Sequence, residues 1–236
     1  EGVTSIGSYA FLNCASIETI SLPYGLESIG TSTFHGCSSL QEIYIPNTVT
    51  SVGGFAFRYC TSLTYAWGMQ GLTAISDGMF DCCSSLVSAR VPYGVTSIGA
   101  AAYQECSSLV YASIPSTVTS IGERAFDQCE RFCHVLFSGS QNTWKKVQIG
   151  SGNPLLTIVT FHYGASGEEI LWYEIEGALY PRCTICDTYL TERPQCFHDE
   201  MRLYDERAAT CTEPGYTGDV KCLVCGDIVA HRDRKE

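Results

Sequence analysis

Basic residues are scarce in this 236-residue chain: 14 Lys and Arg stand against 25 Asp and Glu, for a formal net charge of −11. Binding a phosphate backbone takes clustered cations, so the composition argues against a nucleic-acid partner. No run approaches the roughly 20 apolar residues of a membrane helix, and no membrane insertion within this chain is expected. No basic, then apolar, then small-residue leader opens it. Any export signal is expected outside the sequence. Catalytic signatures are missing too. There is no Gly-x-Ser-x-Gly elbow, phosphate loop or His-Glu-x-x-His helix. The carboxylates of the first 164 residues scatter without a facing pair for glycoside chemistry. No enzyme activity is expected.

What is plentiful is cysteine, 14 residues. That is about 6% of the chain, below the 8–10% of a disulfide scaffold. Six of them, at 14, 37, 60, 83, 106 and 129, are 23 residues apart at every step. Ile6, Ile29, Val52, Ile75, Ile98 and Ile121 keep the same step, and so do Phe11, Phe34, Phe57, Phe80, Tyr103 and Phe126. So do a Val/Leu column from Val3 to Val118 and a Leu-type column from Ile17 to Phe132. A fixed period of 20–50 residues is the signature of a solenoid. Within one unit, Leu40-x-x-Ile43-x-Ile45 ends in a period-2 pattern and reads as a short strand. Pro46 ends it, having no N–H for a ladder. The Gly-x-x-Ala-Phe-x-x-Cys stretch suits one helical or 3₁₀ turn. A lone unit cannot bury enough to fold, so stacked units fold together.

The Ser-Ile-Gly, Ala-Phe, Cys-x-Ser-Leu and Ile-Pro-x-x-Val-Thr phrases resemble the BspA-like leucine-rich repeats of bacterial surface proteins. The resemblance covers about residues 1–137, as six 23-residue repeats. It implies a right-handed solenoid of short parallel strands and short helical or 3₁₀ turns. It also implies an extracellular or cell-surface binding role, and no catalytic residues. The sequence opens in mid-register at Gly2-Val3-Thr4-Ser5-Ile6-Gly7 without a polar cap, so a fragment or processed form of a longer protein is expected. The six column cysteines are expected to be buried thiols, because stacked side chains point the same way at a spacing wider than a disulfide allows. Cys82 and Cys133 receive no assignment.

The period fails after Phe126. Residues 138–164 are expected to cap the array, with Trp144 and Val147 on a short helix and Ile158–Tyr163 as a strand. The charge density then changes. Residues 165–236 hold 23 charged residues, and −7 of the net charge, in under a third of the length. Six cysteines fall in this acidic segment. Two Cys-x-x-Cys pairs, Cys183/Cys186 and Cys222/Cys225, present four thiolates to a tetrahedral zinc in a zinc-ribbon-like domain. An alternative set is His198, Cys211, Cys222 and Cys225. The stretch around Cys211 to Gly226 resembles a small module of Gram-positive surface proteins, which implies no activity. Three disulfides are the competing arrangement, because so small an acidic domain needs a staple of one kind or the other.

Alternate strand residues leave the core and line an outer face. One row reads Ser21, Tyr44, Trp67, Arg90, Ser113, Leu136, and a second reads Thr19, Glu42, Tyr65, Ser88, Tyr111, His134. Neighbours within a row stand about 4.8 Å apart. Tyr44, Tyr65, Trp67, Arg90 and Tyr111 are therefore expected to form one exposed patch, with Tyr24 and Tyr93 on its rim. Tyr, Trp and Arg are the residues of protein hot spots, and aromatics also stack on sugars. Host or matrix protein, or glycan, is the expected ligand. The alternative is that aromatics suit strands, with Arg90 resting on Trp67 as a cation–π pair. On that view the chain is a structural spacer.

Overall fold

The computed structural model describes residues 2–165 in full and, beyond them, the backbone of eight strands: Ile170–Ile175, Ala178–Cys183, Thr188–Tyr189, Met201–Tyr204, Gly215–Tyr216, Asp219–Cys222, Ile228–His231 and Arg234–Lys235. The chain divides into two compact units, Glu1–Gly167 and Glu168–Glu236.

The first unit is a parallel solenoid. Two strand ladders climb it at the expected step. One carries Ser5–Ile6, Ser28–Ile29 and Ser51–Val52, then Ala74–Ile75, Ser97–Ile98 and Ser120–Ile121, with Ser5 opposite Ser28 and Ile98 opposite Ile121. The other carries Glu42–Ile45 and Tyr65–Gly68, then Ser88–Arg90, Tyr111–Ile114 and His134–Phe137. Residues 138–164 continue both ladders as a seventh, longer turn. Gln148–Ile149 pairs in parallel with Ser120–Ile121, and Thr160–Tyr163 with His134–Phe137. Ser140 caps the four-residue helix Gln141–Trp144 of this turn by accepting from the Thr143 N–H. Trp144 is buried between Phe137 and Phe161, with ring centroids at 5.0 and 4.8 Å.

Across from the strand face, the structure differs from the expected helical turn. The arc after each Gly is a run of tight turns with a third ladder of its own. In the unit at 53–60, for example, the N–H groups of Phe55, Phe57 and Tyr59 donate to the carbonyls of Asp77, Met79 and Asp81 in the next coil. Two positions per coil make this possible by adopting left-handed φ. One column is Tyr9, Ser32, Phe55, Gly78, Ala101 and Arg124; the other is Asn13, Gly36, Tyr59, Cys82, Glu105 and Gln128. A helix sends every N–H to its own chain four residues back. Left-handed residues turn alternate N–H groups outward to the neighbour. Asn153 closes this third ladder at the far end. Its Oδ1 accepts from the Phe126 N–H at 3.0 Å, and its Nδ2 donates to the carbonyls of Gly122 and Gly150, each at 2.9 Å.

Two core columns run the length of the array. Phe11, Phe34, Phe57, Phe80, Tyr103 and Phe126 stack with centroids 5.2–5.6 Å apart and planes within 16° of parallel, and Phe132 lies on Phe126 at 5.2 Å. The column cysteines are free thiols, buried from Cys37 onward. Each does more than fill space. Cys37, Cys60, Cys83, Cys106 and Cys129 donate from Sγ to the carbonyl of the column aromatic one coil back, at 3.0–3.2 Å.

Glycine recurs where coils approach most closely. A Cβ on Gly30, Gly53, Gly99 or Gly122 would stand 2.4–2.6 Å from atoms of the preceding coil, mostly backbone. Their N–H groups donate at 2.7–2.8 Å to Ile6, Ile29, Ile75 and Ile98. Ser76 occupies the same position in the repeat. Its Cβ prevents that approach, its hydroxyl donates to the Gly53 carbonyl at 3.2 Å, and the ladder is interrupted between Val52 and Ala74. The second ladder is interrupted in the neighbouring strand, after Gly68 and Met69, which both hold positive φ.

Candidate ligand-binding face

Strand alternation decides what reaches solvent. In Glu42–Ile45 the pattern is exposed, buried, exposed, buried, and in Tyr65–Gly68 Ala66 is buried between exposed Tyr65 and Trp67. The parallel register sets Tyr44 opposite Trp67 and Glu42 opposite Tyr65. The Tyr44 and Trp67 rings lie 6.2 Å apart, tilted by 46°. Their exposures are 46% and 39%, with Tyr65 at 37% and Arg90 exposed. Burial comes first among the causes that raise the Tyr65 phenol above its ordinary pKa; Tyr111 adds to it and Arg90 opposes it. Tyr24 and Tyr93 project from the turns after Pro23 and Pro92, at 80% and 77% exposed.

Tyr111 does not join the exposed patch. It is fully buried, and Ser88, His134 and Leu136 of the same two rows are buried too. Arg90 lies against it instead of on Trp67. Its Nε and Nη2 both donate to the Tyr111 hydroxyl, at 3.3 and 3.1 Å. The hydroxyl offers lone pairs to the guanidinium edge, and this hydrogen bonding outweighs a solvent-exposed cation–π contact. The cation–π pairs among the described residues belong to Arg58, over Phe55 at 5.5 Å and Tyr59 at 4.7 Å. At the far end of the face His134 meets His162 edge to face at 5.2 Å. Burial, then the His162 charge, push the His134 pKa down to about 4.

Sequence reasoning passed over the opposite side of the coil. There Arg58 forms an ion pair with Asp81 at 2.7 Å. The Cys82 thiol donates to Asp81 Oδ1 at 3.2 Å and approaches Glu105 Oε2 at 3.5 Å. Burial and the Asp81 carboxylate hold its pKa up near 12, so the thiol stays protonated. Cys133 donates to the Val110 carbonyl at 3.5 Å. Both leftover cysteines are thus hydrogen-bond donors. The left-handed column, marked in the sequence by Asn13 and Gly36, was the available signal for Cys82.

Of the five cysteines and one histidine considered for zinc, Cys183 ends the strand Ala178–Cys183 and Cys222 ends Asp219–Cys222. Cys186, His198, Cys211 and Cys225 lie outside the described residues. No helix among the described residues is long and apolar enough to cross a membrane.

Comparison with known proteins agrees with the repeat. The profile of the BspA type leucine rich repeat region matches residues 2–144 in six copies. No curated protein matches the sequence. Three crystal structures share the fold. A leucine rich cell surface protein from Faecalibacterium prausnitzii is 32% identical, with a TM-score of 0.55 over 56% of this chain and 35% of the other. The leucine rich repeat protein of T. pallidum is 28% identical, with a TM-score of 0.57 over 63% of this chain and 67% of the other. A leucine-rich repeat protein from Bacteroides ovatus is 26% identical, with a TM-score of 0.55 over 69% of this chain and 47% of the other. This chain thus spans about a third of the length of the F. prausnitzii protein.

Proposed function

Because the chain belongs to the BspA-type leucine-rich repeat proteins, we propose that it is a non-enzymatic, cell-surface or secreted binding protein whose exposed strand face docks a host or matrix protein, or a glycan, in adhesion. The observation that supports this most is the cluster of Tyr44, Tyr65 and Trp67, three large aromatics held outward on adjacent coils. A fold built only to span distance gains nothing from placing them in water, where apolar surface costs about 25 cal/mol per Å². The F. prausnitzii relative is itself described as a cell surface protein.

A screen of the full chain against matrix proteins and glycans tests the reading. Trp67→Ala combined with Tyr44→Ala is expected to abolish the binding that the parent shows. A ligand held equally well by both proteins would move the site elsewhere. Silence across the screen would leave the spacer reading in its place. For the C-terminal unit we propose one zinc on Cys183, Cys186, Cys222 and Cys225. Elemental analysis should find one zinc per chain; a metal-free chain with three disulfides would replace the zinc by covalent staples.

A further inference from the structure

Arg90 carries a charge that no carboxylate among the described residues neutralises. The ion pairs among the described residues are Arg58–Asp81 and Arg124–Asp127; Arg90 has no carboxylate partner there. Its side-chain hydrogen bonds among the described residues are the two to the Tyr111 hydroxyl. These use one edge of the guanidinium, Nε–H and one Nη2–H. They leave the end-on pair, the other Nη2–H and Nη1–H₂, which is the geometry that takes a carboxylate in two parallel bonds. A buried tyrosine on the next strand therefore locks an exposed cation into one pose, which lowers the entropy lost when a ligand binds.

One and two coils back in the row of Arg90, at the 23-residue step, stand Trp67 and Tyr44, the aromatic shelf. The accessible strip is short, since Ser88, Tyr111, His134 and Leu136 are all buried. At roughly 150–250 Å² per large aromatic side chain, exposures of 46%, 37% and 39% leave on the order of 200–300 Å² of ring surface. A standard protein interface takes about 800 Å² per partner. A few sugar units fit that strip, and the coil rise of about 4.8 Å brings a new ring under a pyranose chain running along the solenoid axis. Exposed Glu42 and the Tyr44 hydroxyl offer hydrogen-bond partners for sugar hydroxyls.

From this juxtaposition of an oriented, uncompensated guanidinium and a short aromatic shelf, we infer that the strand face binds a carboxylate-bearing glycan, its acid group on Arg90 and its ring faces on Trp67 and Tyr44. The inference rests on the strand face being the binding site, and it names the ligand class. Uronate and sialate sugars share the chemistry.

The test is calorimetric titration of the full chain with oligogalacturonates and with sialylated oligosaccharides, each against the same sugar with its carboxyls reduced to alcohols. The acid forms are expected to bind at least about tenfold tighter, equivalent to about 1.4 kcal/mol, and to weaken with salt. Whichever series binds identifies the acid source. Arg90→Gln should erase the preference for acid over alcohol. Arg90→Lys keeps the charge without the fork and should lose most of it. Tyr111→Phe, which frees the guanidinium, should cost a few-fold. Equal binding of acid and reduced sugars overturns the inference. So does a protein ligand that needs Trp67 but tolerates Arg90→Gln, and that result leaves the strand-face reading standing. Binding of any ligand that survives Trp67→Ala with Tyr44→Ala overturns both. Circular dichroism melts of each variant separate lost binding from lost fold.

Discussion

At the residue scale the core positions carry chemistry that their hydrophobicity hides. Tyr103 stands in a column otherwise made of Phe, fully buried, and its hydroxyl has no hydrogen-bond partner among the described residues. A desolvated, unpaired hydroxyl costs about 1–3 kcal/mol. Tyr103→Phe is expected to stabilise the array by about 1 kcal/mol and to raise Tm by about 2–4 °C in a thermal melt. An unchanged or lower Tm would show that the hydroxyl is satisfied. The thiols give stability a pH dependence. Burial lifts Cys37 to about 11 and Cys129 to about 12, and lifts Cys60, Cys83 and Cys106 as well. An unfolded thiol titrates near 8.5. The folded state therefore binds protons that the unfolded state releases above that pH. The contribution is complete below pH about 8.5 and falls as pH rises toward 11. His134, depressed to about 4, has the opposite window: its contribution is complete above about 6.5 and is lost as pH falls toward 4. Urea midpoints measured from pH 4 to 11 should form a plateau between those limits.

At the element scale, the 23-residue period exposed the strands directly, because each buried column repeats without insertion. The turns of the arc were not legible. Left-handed φ is announced by glycine, and here Phe55, Tyr59, Cys82 and Arg124 hold it. The energy comes from ladder bonds to the next coil, which a single-coil pattern does not display. The seventh turn was hidden for a related reason. Its register steps are 28 and 26 residues, as Ser120 to Gln148 and His134 to Thr160 show, so its columns fall out of the period. The binding face was half legible. Alternation placed Tyr44 and Trp67 outside, but no spacing rule says that Arg90 will lie along Tyr111. The Gly-x column was visible as a repeated letter, and its meaning is steric. Gly99→Ala should destabilise the array by about 3 kcal/mol, because the new Cβ meets Asp77 at 2.5–2.6 Å. A loss under about 1 kcal/mol in urea unfolding would mean that the coils part there at little cost.

At the scale of the whole molecule, stability is a sum of neighbouring coils and the contacts between them. The sum is uneven. The first coil is half-buried at Ile6, Phe11, Cys14, Ile17 and Ile20, while the coils from Leu86 to Phe137 are closed on both sides. Hydrogen exchange should be fastest over residues 2–20, slowest over Tyr103–Phe137, and should step up in protection on crossing Ser76. Uniform protection along the array would indicate one cooperative block.

The seam at Ser76 also has a mechanical meaning. Ladder bonds and ring stacking all run along the solenoid axis, so tension applied between the two ends loads coils in series, and the interrupted step yields first. Each coil that peels away pays out 23 residues, about 76–83 Å of extended chain. Trp67 and Arg90 stand on strands either side of that interruption, so a ligand spanning them would bridge the weak step and make the array harder to lengthen under a pull.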